Sequence, residues 1–182
     1  MSDSQGPDAL WAPWRLTYLE SLDEGDTSNP SGERAPSTGC FLADYWRAPD
    51  DDIRNHVIVR TDFGMILLNA FPYANGHLLV ALGESRGRLL DYEPHQRTLL
   101  WALTERAAEL MELALAPQGI NIGINQGRAA GAGVPQHLHV HLVPRWNGDV
   151  NFSTTVGNVR VIPNSLDAMA ARYRAVASSQ ST

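Results

Sequence analysis

The sequence predicts an α+β fold, a mainly antiparallel five-stranded sheet with its helices on one side. Three features carry that expectation. Five short β-prone runs lie between His56 and Val143, one long helical stripe separates the third run from the fourth, and a further helical pattern follows near the C-terminus. The connections between runs are too short for repeated crossovers, which parallel pairing requires and antiparallel pairing does not.

The elements follow in order. Val57 to Arg60 and Met65 to Asn69 are separated by Thr61-Asp62-Phe63-Gly64, a hairpin signal. Pro72-Tyr73-Ala74-Asn75-Gly76 reads as a turn, and His77 to Leu82 is an apolar run of strand length. After Glu93-Pro94, where proline suits a first helical turn, Leu99, Leu103, Ala107, Leu110 and Ala114 recur at helical spacing until Pro117 and Gly119 stop the pattern. Asn121 to Asn125 and His137 to Val143 are the remaining strands. A last helix is expected from about Asn164, burying Leu166, Met169, Ala170 and Tyr173.

The length of 182 residues suits one domain. Residues 1–39 are expected to form an aromatic arm, Leu10 to Leu19, and a flexible surface loop, Asp23 to Gly39; residues 40–182 form the folded domain. No internal repeat is evident. Apolar residues make up 43% and charged residues 19%, an ordinary soluble composition, and no run approaches the roughly 20 apolar residues of a membrane span. The acidic and small N-terminal residues lack the pattern of a secretory signal, so a cytoplasmic location is expected. The lone Cys40 cannot form an internal disulfide and is assigned to packing. A net charge of −6 argues against a protein that grips long nucleic acid, which needs a basic face. It does not argue against a small phosphate-bearing ligand, which main-chain N–H groups and a few imidazoles hold locally.

Three of the six histidines fall within His137-Leu138-His139-Val140-His141-Leu142-Val143. Alternate residues of a strand share a face, so the three imidazoles are expected on one side, about 7 Å apart, with Leu138, Val140 and Leu142 toward the core. Core histidines occur singly as a rule, and a row of three calls for either metal binding or phosphoryl chemistry. The preceding loop, Gly127 to Pro135, offers no acid to assist a metal-bound water, while its glycines let backbone N–H groups approach a phosphate. That favours phosphoryl chemistry. A neutral imidazole is a good nucleophile near pH 7 if one ring nitrogen is protonated and held, as by a nearby backbone carbonyl, leaving the other free.

Gly76-His77-Leu78-Leu79-Val80, then Asn125-Gln126-Gly127, then the alternating histidines and Pro144-Arg145 together resemble the histidine triad (HIT) superfamily of nucleotide hydrolases and transferases. The resemblance covers about His56 to Pro163. Trp11-Ala12-Pro13-Trp14-Arg15 and the run Pro144 to Phe152 are similar to the bacterial branch containing diadenosine tetraphosphate phosphorylases, with the fragile histidine triad hydrolases as neighbours. The resemblance implies that His139 is the nucleophile on the α-phosphate, that His137 and His141 orient it and contact phosphate or leaving-group oxygens, and that His77 supports the row from the adjacent strand. It also implies that Asn69 binds the ribose hydroxyls and that Gln126 lies near the scissile phosphate. Asn125, Gly131 and Gly133 complete the expected substrate-binding set. Gly133 stands where many relatives carry a phosphate-touching glutamine, so leaving-group preference does not transfer. Some relatives bind zinc through Cys-x-x-Cys, whereas Cys40-Phe41-Leu42-Ala43 has one sulfur; no metal and no other cofactor are expected. The relatives' habit of pairing as homodimers, with the sheet continuing across the interface, extends the expectation to a homodimer with an adenine nucleotide as substrate. Hydrolysis, phosphorolysis, non-catalytic nucleotide sensing and zinc-dependent hydrolysis stay open from sequence. His56, His95, Arg145, Trp146 and Phe152 are read as packing, bracing or dimer-contact residues.

Overall fold

The computed structural model describes residues 37–149 and 162–180. The aromatic arm, most of the 23–39 loop and the segment around Phe152 lie outside the described residues. A short helix α1 (Phe41–Arg47) leads into the hairpin of β1 (Val57–Arg60) and β2 (Gly64–Leu68), followed by β3 (Leu78–Leu82). The long helix α2 (Pro94–Leu115), strands β4 (Gly119–Ile124) and β5 (His139–Arg145), and the final helix α3 (Leu166–Ser179) complete the domain. The sheet has five strands in the order β1-β2-β3-β5-β4, and every neighbouring pair is antiparallel.

Alternation along each strand assigns two faces. Ile66, Leu68, Leu78, Val80, Leu82, Val140 and Leu142 point to one side and form the larger core with Leu100, Leu103, Leu110, Met111 and Tyr173 from α2 and α3. Met65, Leu67, Leu79 and Ala81 point to the other side, where they meet Cys40, Leu42 and Ala43 of the α1 segment. Fully burying one leucine such as Leu142 stabilises the fold by about 2 kcal/mol, so this alternation alone fixes the strand register.

The helices begin and end for local reasons. A reciprocal capping box between Glu93 and Gln96 opens α2 with Pro94 at its first position, and Ala116 in the left-handed region closes it before Pro117. The Ser165 side chain accepts the Ala168 N–H at 3.2 Å and starts α3. Tyr173 of α3 donates its hydroxyl to the Gly76 carbonyl at 2.8 Å, pinning the turn that precedes His77. Gly76 has φ +87°, and an added Cβ would strike Leu115, so both conformation and space require glycine there.

Three expectations change. Helices occupy both faces, because α1 covers the side opposite α2 and α3. The last strand starts at His139 and runs to Arg145, since His137 sits in a bend whose N–H goes to Val134 O and Leu138 N–H goes to Arg86 O at 2.7 Å. The end of the expected flexible loop is also tethered: Ser37 and Thr38 both hydrogen-bond the Asp44 carboxylate of α1. Among the described residues no helix is long and apolar enough to cross a membrane.

Candidate active site

His139 and His141 occupy the sheet face opposite the larger core. Pairing of Ala81 with His139 and Leu79 with His141 sets both imidazoles beside β3, and their ring centroids lie 4.8 Å apart with planes tilted by 59°. His139 is 6% exposed and His77 and His137 are fully buried, while His141 is part-exposed. The row is thus mostly buried, with His141 its most accessible ring.

Hydrogen bonds fix the protons. His139 Nδ1 lies 2.8 Å from the His137 carbonyl oxygen. A carbonyl only accepts, so Nδ1 carries the proton and Nε2 keeps its lone pair. His141 is set the other way. The Tyr73 N–H donates to His77 Nδ1 at 3.1 Å, and the Asn69 amide donates to the same atom at 3.3 Å. His77 therefore bears its proton on Nε2, which lies 3.0 Å from His141 Nδ1 and donates to it. That leaves His141 with a proton on Nε2. Two neighbouring rings on one strand face are held in opposite tautomers, one presenting a lone pair at Nε2 and the other an N–H. The Tyr73 ring, stacked on His141 at 5.8 Å and set 4.7 Å from His77, buttresses the donor side.

Burial favours the neutral rings. Desolvation pushes the pKa of His139 below the ordinary imidazole value, with the bond to the His137 carbonyl opposing the shift in part. Desolvation lowers His137 likewise, against the Leu82 carbonyl bond and assisted by its proximity to His139. The Nε2 lone pair of His139 is consequently unprotonated near neutral pH.

A family model described as the HIT domain matches residues 50–148, more than half of the chain. The chain belongs to the HIT family. A protein named AP-4-A phosphorylase from Mycobacterium tuberculosis is 35% identical over 159 residues, covering 86% of this chain and 77% of that one. A bis(5'-nucleosyl)-tetraphosphatase [asymmetrical] from Schizosaccharomyces pombe is 33% identical over 104 residues, 57% of each chain. Among solved structures, a Zn-bound histidine triad family protein from Mycobacterium smegmatis superimposes with a TM-score of 0.63 at 27% identity, covering 78% of this chain and 95% of that one.

Within this HIT site the remaining expected residues divide. Asn125 is the first residue beyond β4, directly after Ile124, the partner of Val140. His137 does not present its ring with the other two: it is buried, Nε2 donates to Leu82 O at 2.7 Å and Nδ1 meets Cys40 Sγ at 3.4 Å. It holds its neighbour by its carbonyl, and the expected phosphate contact is not available to the buried ring. The Asn69 carboxamide is engaged in local structure, its oxygen accepting the Phe71 N–H at 3.0 Å and its nitrogen meeting His77. Gln126 is tied to the 84–92 loop, its side-chain oxygen accepting the Leu89 N–H at 2.9 Å. Gly131 has φ +81° and donates its N–H to Arg128 O at 2.8 Å, whereas Gly133 is half-buried in the same loop. Among the described residues no group of three or more His, Cys, Asp or Glu is placed to hold a metal ion.

Sequence reasoning missed Tyr73 and Cys40. The N–H of Tyr73 sets the His77 tautomer, and backbone donors leave no mark in residue identity. The Cys40 to His137 contact spans 97 positions, beyond any local pattern.

Proposed function

We propose that this protein, an enzyme of the histidine triad family acting on nucleotides, cleaves dinucleoside polyphosphates or related nucleoside phosphoanhydrides through a covalent nucleotidyl-histidine at His139. The single observation that carries this reading is the opposed tautomer pair, with His139 Nδ1 bonded to the His137 carbonyl and His141 Nδ1 receiving the His77 proton.

His139 Nε2 attacks the α-phosphorus, forming a P–N bond as the bond to the bridging oxygen breaks. The polyphosphate leaves as an anion and needs charge stabilisation more than a proton; His141 Nε2–H supplies it at the growing negative charge. Water then attacks the same phosphorus, the P–N bond breaks, the proton lost by the water passes to solvent, and nucleoside monophosphate leaves the regenerated neutral imidazole behind. One difficult displacement becomes two easier ones. The low-pKa environment of His139 keeps the attacking nitrogen unprotonated, which supports reaction at neutral pH.

A second reading differs only in the acceptor: inorganic phosphate in place of water would release a nucleoside diphosphate. The name of the M. tuberculosis relative, 35% identical over 86% of this chain, favours it. An adenine nucleotide is the proposed substrate in both. Neither reading uses a metal, because imidazole and N–H donors supply both nucleophile and charge stabilisation. A homodimer through the outer edge of β4, which no other described strand covers, agrees with the exposure of Ile122 on that strand and Trp101 on α2.

Incubating the protein with diadenosine tetraphosphate, with and without phosphate, tests the reading. ATP with AMP marks water as acceptor and ATP with ADP marks phosphate. Absence of both product pairs, or undiminished turnover by His139→Ala, rejects the assignment. Activity that survives exhaustive chelation is expected; loss restored by zinc would point to a zinc hydrolase instead.

A further inference from the structure

Cys40 is a buried thiol that the proposed reaction does not use, and it touches the residue that holds the nucleophile. Its Sγ lies 3.4 Å from His137 Nδ1. The other nitrogen of that ring, Nε2, is 2.7 Å from the Leu82 carbonyl and must donate to it. His137 Nδ1 is therefore an acceptor, and the thiol S–H is its donor. The backbone carbonyl of this same residue accepts the His139 Nδ1 proton at 2.8 Å.

We propose that Cys40 is a positioning residue for the nucleophile: its S–H locks the buried His137 ring, and the His137 carbonyl in turn keeps the His139 proton on Nδ1. The inference rests on the proposed role of His139 and adds to it the device that selects the tautomer.

The chain of contacts reaches across the fold. Cys40 immediately precedes α1, Leu82 ends β3, and His137 sits in the bend before β5, so one imidazole ties three separate segments together. Both ring nitrogens of His137 are taken, which leaves it one orientation and one neutral tautomer. Burial pushes the Cys40 thiol up in pKa, opposed by bonds from the Ala43 and Leu42 backbone, so the sulfur keeps its proton as a donor must. Removing the S–H strands a buried acceptor at His137 Nδ1, frees that nitrogen to take a proton, and loosens the carbonyl on which His139 depends. Cys40 is 3% exposed, so substrate does not reach it and its influence passes through His137.

The test compares Cys40→Ser, which keeps a hydrogen-bond donor, with Cys40→Ala and Cys40→Val, which lack one. The two latter differ in bulk, so loss of packing and loss of the donor separate. Nitrogen-15 NMR of the full chain reads which His139 nitrogen is protonated and needs no turnover, so it stands or falls apart from the reaction itself. Steady-state kinetics with diadenosine tetraphosphate give kcat and KM separately. Wild type and Cys40→Ser are expected to show one protonated nitrogen, Nδ1. The donor-free variants are expected to show both His139 tautomers, with kcat lower by about fivefold, the scale of one ordinary hydrogen bond, and KM unchanged. A folded donor-free variant with the wild-type tautomer overturns the proposal, and so does Cys40→Ser behaving like Cys40→Ala. Should neither donor-free variant fold, Cys40→Ser alone decides: a mixture of His139 tautomers there overturns it, and a single Nδ1–H form supports it.

Discussion

The two faces of β5 carry opposite duties within seven residues. Val140 and Leu142 enter a core that many apolar residues of similar shape would fill, whereas His139 and His141 hold single protons on chosen nitrogens through named partners. A packing face tolerates exchange and loses stability in proportion to volume. A chemical face loses function at one atom while the fold barely registers it. Substitutions on each face should therefore separate rate from stability.

The largest effect is expected on the chemical face. His139→Ala should lower turnover of diadenosine tetraphosphate by at least about a thousandfold, since the proposed two-step route would be lost. Its melting temperature should stay near that of the wild type. Leu142→Ala should do the reverse, costing about 2–5 kcal/mol in chemical unfolding while each folded molecule keeps its rate. Loss of activity without loss of stability in Leu142→Ala would erase the distinction between the faces.

Next in size is the proposed donor beside the proposed nucleophile. Replacing His141 with alanine should reduce kcat by roughly a hundredfold, the usual consequence of deleting one hydrogen-bond donor to developing charge. His77→Ala should follow in the same direction, because His141 then loses the bond that sets its tautomer. A change confined to KM in either variant would contradict the role of His141 as a donor to developing charge.

A smaller effect comes from pH. His139 and His137 have folded pKa values depressed by burial, so the unfolded chain takes up protons first, near the ordinary imidazole value of about 6.5. Stability from their neutral burial is present above that value and is lost as pH falls through the lower folded values. Denaturant midpoints should therefore drop as pH falls below the ordinary imidazole value of about 6.5, and the acid limb of kcat/KM should lie below the same value. An acid limb centred above the ordinary imidazole range would mean a nucleophile stabilised in its charged form.

The smallest effect lies far from both duties. Asp167→Asn at the start of α3 removes the 2.9 Å contact with His56, but Asp167 is 92% exposed. The change in stability should stay below about 1 kcal/mol and the rate should not move.

Much of this was legible in residue order, and unevenly so. The long stripe from Leu99 to Ala114 and the hairpin around Asp62 appear where spacing and turn chemistry put them, because long periodic segments and tight turns are locally determined. Helix α1 was not legible: its seven residues, Phe41–Arg47, are too few to show a period, and its stability comes from packing Leu42 and Ala43 against Leu67 and Leu79. The histidine row was visible as composition, yet its division was not. Strand alternation alone put three rings on one face, whereas the bend at His137 turns that ring into the protein, toward Leu82 and Cys40. Proton positions depend on carbonyls and N–H groups from distant segments, which nearly every residue type shares and no sequence pattern marks.

The most direct measurement is intact-protein mass during turnover. Rapid acid-free quenching with diadenosine tetraphosphate should reveal a species heavier by one nucleoside monophosphate, with peptide mapping placing the group on His139 and none forming in His139→Ala. Steady product release with the mass of the protein unchanged throughout, or an adduct on another residue, would contradict covalent catalysis at this imidazole.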